Sequence, residues 1–296
     1  MTDRHLLLSA TNITVKYRRG RQHFTALHNV SITIPEGSTV GLVGESGSGK
    51  STLAKAILGL APIASGRVEL LGQDITSLTG RRRRQLGSTM QAVFQDPNTS
   101  LNPSFTIRRS LTEPLRAQNL LAQVDVAARV DEVLIAVGME PDAANRRPRQ
   151  FSGGQRQRIS IARALITNPK IVVCDEAVSA LDLSVQAQVL NLLNDLQRKH
   201  GLSYLFISHD MSVVKHICHE VTVLYRGEIK ESGPTSAVTT TPQDPYTKAL
   251  LLAAPIADPR RQRERQRSVI PQVFAEPGDD FGSQEADFPR HSTTSD

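Results

Sequence analysis

Residues 44–51 read Gly44-Glu45-Ser46-Gly47-Ser48-Gly49-Lys50-Ser51, a complete G-x-x-x-x-G-K-S. Glycine lets successive backbone N–H groups converge where a Cβ would clash, so the loop reads as a cradle for phosphate oxygens. Lys50 is expected to set its charge between the β- and γ-phosphates, and the Ser51 hydroxyl to hold Mg²⁺. Both flanks agree with that reading. Ser38-Thr39-Val40-Gly41-Leu42-Val43 is a short apolar strand leading in. Thr52 to Leu60 has helical period, stops near Gly59, and aims its positive end at the same anion.

A second apolar run, Ile171-Val172-Val173-Cys174, ends in the carboxylates Asp175 and Glu176. Open parallel sheets place ligands at the C-terminal ends of their strands. Beside a phosphate loop, Asp175 therefore suits the Mg²⁺ shell and Glu176 suits polarising an attacking water. Taken alone, the pair reads as well as a helix cap. Phe151-Ser152-Gly153-Gly154-Gln155 opens an amphipathic helix with a serine and two glycines, which makes either an ordinary N-cap or a second anion site. Two such sites in one chain make sense where two copies meet.

Around these stretches the pattern alternates between strand and helix. Helix from Ile159, strand 171–174, helix Val185 to Lys199 and strand Tyr204 to Ile207 give a βαβ rhythm and a parallel sheet. Leu7 to Ile34 alternates in the manner of antiparallel, half-buried strands, and residues 66–72 read as an edge hairpin strand. From Asn98 to about Gln150 the spacing turns helical, marking an inserted helical subdomain. Beyond about Pro259 the chain is arginine-rich, then polar and acidic, as in a disordered tail.

The 296 residues carry a net charge of +6, with a pI near 9.6. Arg81 to Arg84 supply four positive charges, and residues 260–267 supply five arginines against Glu264. These two patches total +8, so the rest of the chain is slightly acidic. Aromatics do not interleave with the arginines and there is no tryptophan, which argues against a nucleic-acid partner. No apolar run reaches the roughly 18 residues of a bilayer span, and Leu6-Leu7-Leu8 is too short for a signal-peptide core. Cys174 and Cys218 form neither a CxxC metal pair nor a disulfide framework, and Cys174 reads as a small buried apolar residue.

The motifs together resemble the nucleotide-binding subunit of an ABC transporter, over residues 6 to about 258. Lys50-Ser51, Phe151-Ser152-Gly153-Gly154-Gln155 and Asp175-Glu176 match its Walker A, signature and Walker B segments in order. Gln95, in Ala92-Val93-Phe94-Gln95-Asp96-Pro97, matches the Q-loop; Ser179-Ala180-Leu181-Asp182 matches the D-loop; His209 matches the switch histidine; Tyr17 sits where the family stacks an aromatic on adenine. Read alone, His209 is an ordinary surface or core histidine, and Tyr17 an ordinary strand aromatic. The resemblance implies a P-loop NTPase (RecA-like) α/β core with an antiparallel β subdomain and an inserted helical subdomain. It implies a head-to-tail dimer in which ATP on Gly44 to Thr52 of one subunit is covered by Ser152, Gly153, Gly154 and Gln155 of the other. Glu176 is then the general base, His209 orients water and γ-phosphate, and Ser51, Gln95 and Asp175 attend to Mg²⁺.

Several stretches are similar to the peptide/nickel importer branch: Gly44 to Gly49, Val93 to Pro97 with Ser100-Leu101-Asn102-Pro103, Asp175 to Asp182, Tyr225-Arg226-Gly227-Glu228-Ile229, and Asp244-Pro245-Tyr246-Thr247-Lys248-Ala249-Leu250-Leu251. Gly154 to Ile159 with Ile161 to Leu165 resembles the "F"-type ATPase of oligopeptide and dipeptide permeases. That branch implies two membrane-spanning permease subunits, a second and different ATPase subunit, an extracytoplasmic solute-binding protein, and a place on the cytoplasmic face of the inner membrane. Ala177 stands where the branch usually has proline, and Asp244 where it usually has histidine. Many relatives bind iron–sulfur through a C-terminal cysteine cluster; no cysteine follows Cys218, so no such cluster is expected. ABC ATPases that act on DNA or ribosomes usually fuse two cassettes or insert coiled-coil or zinc modules, and a purely structural subunit would have lost Lys50, Glu176 or Ser152; neither pattern is present.

Overall fold

The computed structural model describes residues 5–20, 22–95 and 100–253. The 259–296 tail and the first residues of the 98–150 insertion lie outside them. Strands β1 (Leu6–Arg19) and β2 (Gln22–Pro35) form a long antiparallel hairpin. β3 (Thr39–Val43) enters the phosphate loop, and α1 (Lys50–Ile57) leaves it. β4 (Ser65–Leu70), β5 (Gln73–Asp74), α2 (Gly80–Gln85) and β6 (Met90–Val93) follow. The helical segment contributes α3 (Ile107–Ala117) and α4 (Val126–Ala136), each begun by a side-chain cap: Thr106 accepts from the Arg109 N–H, and Asp125 from those of Ala127 and Ala128. The chain then runs α5 (Gly153–Leu165), β7 (Ile171–Asp175), α6 (Leu183–His200), β8 (Ser203–Ser208) and α7 (Met211–Ile217). It closes with β9 (Glu220–Tyr225), β10 (Glu228–Pro234), α8 (Thr235–Thr240) and α9 (Pro245–Ala253).

Two sheets result. A six-stranded sheet in the order β10-β9-β3-β8-β7-β6 is parallel except at its β10 edge, and a four-stranded antiparallel sheet has the order β2-β1-β4-β5. This is the P-loop α/β core with the antiparallel subdomain that the sequence predicts. One expectation needs correction: β4 is an interior strand between β1 and β5, and the two-residue β5 takes the edge. Strand order is set by pairing across the chain, which local alternation does not encode.

Every residue of β3, β7 and β8 is buried, as expected of parallel strands covered on both faces. Their alternation sends side chains into two cores. Val40, Leu42, Ile171, Val173, Leu205 and Ile207 pack with α1 and the antiparallel sheet. Val172, Cys174, Tyr204 and Phe206 pack on the other face with α5, α6 and the helical segment. Leu111, Leu115, Val130, Val133 and Leu134 of that segment share this second core, so the described part of the insertion is not a separately cored body.

Arginines tie helix ends to their surroundings. Arg83 donates to the carbonyls of Ile57 (2.7 Å), Leu58 (3.2 Å) and Ile75 (3.1 Å), covering the C-terminal acceptors of α1. Arg129 does the same for Leu165 and Ile166 at the end of α5. The Arg81–Arg84 run therefore contains one structural member, while Arg81, Arg82 and Arg84 are exposed.

Candidate nucleotide site

The phosphate loop folds as its glycines require. Gly49 holds φ +108° immediately before α1, and a Cβ there would come within 2.8 Å of the Leu27 side chain. Gly44 has φ +152°, and a Cβ would lie 2.1 Å from the Leu224 carbonyl. No side chain other than hydrogen fits either position. The helix starts at Lys50 itself, two residues before Thr52, where the sequence period places its start. Lys50 is 4% exposed, and its ammonium donates to the Gly44 and Glu45 carbonyls, each at 2.7 Å. Burial pulls its pKa below the ordinary lysine value, while the Glu176, Asp175 and Glu45 charges oppose that shift.

Across the loop, β7 ends at Asp175, whose carboxylate accepts the Ser51 hydroxyl at 3.1 Å. Burial foremost, and then the neighbouring Glu176 charge, raises the Asp175 pKa; the Ser51 bond, Lys55 and Lys50 pull it down. A hydroxyl and a cation-hungry carboxylate side by side are the hard oxygen donors Mg²⁺ prefers. Among the described residues no group of three or more His, Cys, Asp and Glu could hold a metal, so such an ion would need oxygens from nucleotide and water. Glu176 follows in the left-handed region (φ 50°), its N–H on the Ile207 carbonyl at 3.1 Å. The backbone thereby turns its side chain toward β8, where Glu176 Oε1 lies 3.5 Å from His209 Nδ1.

Tyr17, Phe24, Thr25, Ala26, His28, Ser46, Gly47, Gly49, Lys50, Ser51, Thr52, Glu176 and Arg226 line one cavity of about 460 Å³. Tyr17 thus lies in the same cavity as the phosphate loop. Phe24, its directly paired neighbour on β2, lines the same cavity and was not singled out from sequence. Cross-strand pairing of the two alternating runs was the available signal. His28 and the β9–β10 turn residue Arg226 line the cavity too; Arg226 stands in a segment that the sequence offers only as a branch marker, and nothing local marks either residue as part of this cavity.

The remaining predicted residues lie elsewhere. Gln95 is exposed just past β6 and does not line the cavity. Gly44, Glu45 and Ser48 shape the loop from outside the cavity wall. Ser152 caps α5: its hydroxyl accepts the Gln155 N–H at 3.3 Å, and the Gln155 side-chain oxygen accepts the Ser152 N–H at 2.9 Å. Gly153 has open space where a Cβ would stand. Asp182 caps α6 by accepting the Val185 N–H at 3.0 Å.

A glycine-rich loop between a parallel strand and a helix, facing a hydroxyl–carboxylate pair and a glutamate–histidine pair, defines a nucleoside-triphosphate-binding protein of the P-loop class. Comparison with known proteins narrows the class. The ABC transporter family profile matches residues 27–179. The glutathione import ATP-binding protein GsiA of Escherichia coli is 52% identical over 241 residues, covering 81% of this chain and 39% of that protein. The oligopeptide transport ATP-binding protein OppF of Salmonella typhimurium is 46% identical over 278 residues, covering 90% of this chain and 83% of that one. The bacterial ABC transporter cassette MJ0796, solved as a dimer, superposes with a TM-score of 0.70 at 31% identity over 77% of this chain and 99% of its own. A second structure of that cassette, dimeric in a post-hydrolysis state with ADP and Pi, gives 0.68 at the same identity and coverage. The chain belongs to the ABC transporter family. It spans about two fifths of the length of the GsiA relatives it matches.

Proposed function

We propose that this chain is the ATP-hydrolysing subunit of an ABC importer for peptides or a related small solute such as nickel, peripheral to the cytoplasmic face of the inner membrane. The observation that carries this reading is the 46% identity to OppF across 83% of that protein's length, together with an intact set of site residues. Among the described residues no helix is long and apolar enough to cross a membrane, so transport would rest on separate subunits. The proposed partners are two transmembrane permease subunits, a second ATPase subunit in a heterodimer or a second copy in a homodimer, and indirectly an extracytoplasmic solute-binding protein.

In this reading the N–H groups of the loop and of the first turn of α1 take the β-phosphate, and Lys50 reaches the β- and γ-phosphates. Mg²⁺ would be held by Ser51 and Asp175, with Gln95 assigned to the same ion, and would neutralise charge on the phosphate oxygens. Tyr17 offers its ring to adenine. Glu176 accepts the proton of the attacking water, and His209, 3.5 Å away, holds that carboxylate and the γ-phosphate in register. Ser152, Gly153, Gly154 and Gln155 of the other subunit close the nucleotide from above, and Asp182 stands at the subunit contact.

The test is co-purification of tagged Glu176→Gln protein from solubilised membranes in ATP, because loss of the base leaves binding intact and traps the ATP-held dimer. Two membrane-spanning subunits and a second ATPase, or a second copy of this chain, support the reading. Recovery with ribosomes or DNA-repair factors refutes transport while leaving the ATP chemistry standing.

A further inference from the structure

The segment Asp244 to Leu251 lies well beyond residues 27–179, which the family profile matches. In the structure its helix α9 reaches the phosphate loop. The Tyr246 hydroxyl accepts the backbone N–H of Glu45 at 3.0 Å. On the other flank of the loop, the Gly227 N–H of the β9–β10 turn donates to the Ser48 carbonyl at 2.9 Å, while the Gly227 carbonyl accepts the His28 N–H at 2.8 Å. Within the loop, Ser48 N–H bonds the Glu45 carbonyl at 3.2 Å, so both outside contacts land on one internal turn. Gly44 meanwhile lies directly against the Leu224 carbonyl at the end of β9.

Tyr246 is not a loose side chain that happens to touch the loop. Asp244 caps α9, accepting the Tyr246 N–H at 2.8 Å and the Thr247 N–H at 3.4 Å. Glu231 of β10 accepts the Gln243 N–H at 2.9 Å and the Asp244 N–H at 3.1 Å, fastening the start of the helix to the hairpin. The Tyr246 ring packs on Tyr225 with centroids 4.3 Å apart and planes tilted by 37°. Burial raises the Tyr246 phenol pKa, so at neutral pH it remains a neutral hydroxyl.

We propose that Tyr246 is a positioning residue of the nucleotide site: its hydroxyl, with Gly227 on the opposite flank, holds the Glu45–Ser48 turn in its phosphate-binding shape, so that the C-terminal hairpin and α9 set the affinity for ATP. The loop's N–H groups can converge on an anion only while the turn keeps its shape, and each outside bond fixes a group that faces away from the phosphate. A regulatory input that moved α9 would therefore act on ATP affinity without touching the nucleotide. This inference rests on the ATP-binding reading above.

Tyr246→Phe tests it in the full chain, since phenylalanine keeps the ring on Tyr225 and removes only the acceptor. Loss of one ordinary hydrogen bond corresponds to about a 3- to 10-fold change in an equilibrium constant. The dissociation constant for ATP is expected to rise by about that factor, and KM with it, while kcat and the melting temperature of the nucleotide-free protein stay near wild type. Tyr246→Ala, which also strips the ring contact, is expected to lower the melting temperature as well. Wild-type ATP affinity in Tyr246→Phe overturns the inference, as does a loss of affinity matched by an equal fall in kcat and melting temperature, which marks general destabilisation. Failure of the wild-type chain to bind ATP would overturn the nucleotide reading itself, and this inference with it; Lys50→Ala run alongside separates the two outcomes.

Discussion

Replacing Arg83 by alanine lowers the stability of the nucleotide-free protein by about 2–3 kcal/mol, a size set by what its guanidinium does at the far end of α1. It donates to Ile57, Leu58 and Ile75, two of them carbonyls at the helix end that have no partner inside the helix. Gly59, at φ +69°, keeps the space open: a Cβ there would stand 2.4 Å from the guanidinium. A charged donor bond contributes about 1.5–3 kcal/mol, so three would give well above 4. Against this stands the desolvation that lowers the Arg83 pKa, and the side chain is only partly buried, so the net effect is well under the sum. For a domain of this size about 2–4 °C of melting temperature accompanies each kcal/mol, which predicts a fall of about 5–10 °C by scanning fluorimetry without nucleotide. Arg82→Ala, on the exposed neighbour, is the control and should move by no more than about 2 °C. Arg83→Lys should fall between the two, because a single ammonium cannot fork to three carbonyls. Equal melting temperatures for Arg83→Ala and Arg82→Ala would refute the capping argument.

Two further outcomes follow from the same geometry. Lys50→Ala removes the charge that spans the loop and is expected to weaken ATP binding by at least tenfold and abolish turnover; a variant that hydrolyses ATP at the wild-type rate contradicts the assignment, and an ATPase assay with titrated nucleotide decides it. The two thiols give a pH prediction. Full burial pushes Cys174 up to about 12 from its ordinary 9.0, with the Asp175 charge adding to the shift, and burial raises Cys218 as well. The folded state thus keeps protons that the unfolded state releases, so stability present below about pH 9 declines as pH rises from there toward 12. Both cysteines should resist alkylation at pH 8 until denaturant is added, and Cys174→Ala should flatten part of the alkaline fall in melting temperature. Rapid native-state labelling of Cys174 would contradict its burial.

The parts of this molecule legible in the sequence are those whose cause is local. The β3–loop–α1 unit follows from glycines that need positive φ and from a lysine that ends them; Asp175 and Glu176 follow from an apolar strand stopping at two carboxylates. Helix α6 begins at Leu183 and not at Val185 because Asp182 caps it, and α1 begins at Lys50 because Gly49 turns the backbone there. What escaped reading depends on pairing between distant segments. β4 became interior through ladders to β1 and β5, and Phe24 reached the cavity through its register with Tyr17. Arg226 lines that cavity from the β9–β10 turn, Arg83 caps the Ile57 and Leu58 carbonyls from another element, and Tyr246 bonds the N–H of Glu45, 201 residues earlier in the chain. No periodicity records such contacts.

The signature segment shows why its two readings, ordinary helix cap and anion site of a partner subunit, need not compete. A serine hydroxyl has one proton to donate and two lone pairs to accept with. Ser152 spends one lone pair on the Gln155 N–H, which leaves its proton free for a phosphate oxygen. The cap fixes the hydroxyl's direction, so the bond that stabilises α5 also orients the donor. Gly153 leaves the approach bare, and Gly154 presses on α6, where a Cβ would stand 2.4 Å from Val185 Cγ1. Val185 is also the residue whose N–H caps onto Asp182. In the proposed dimer the covering segment and the aspartate assigned to the subunit contact are therefore packed directly together, linked through Val185.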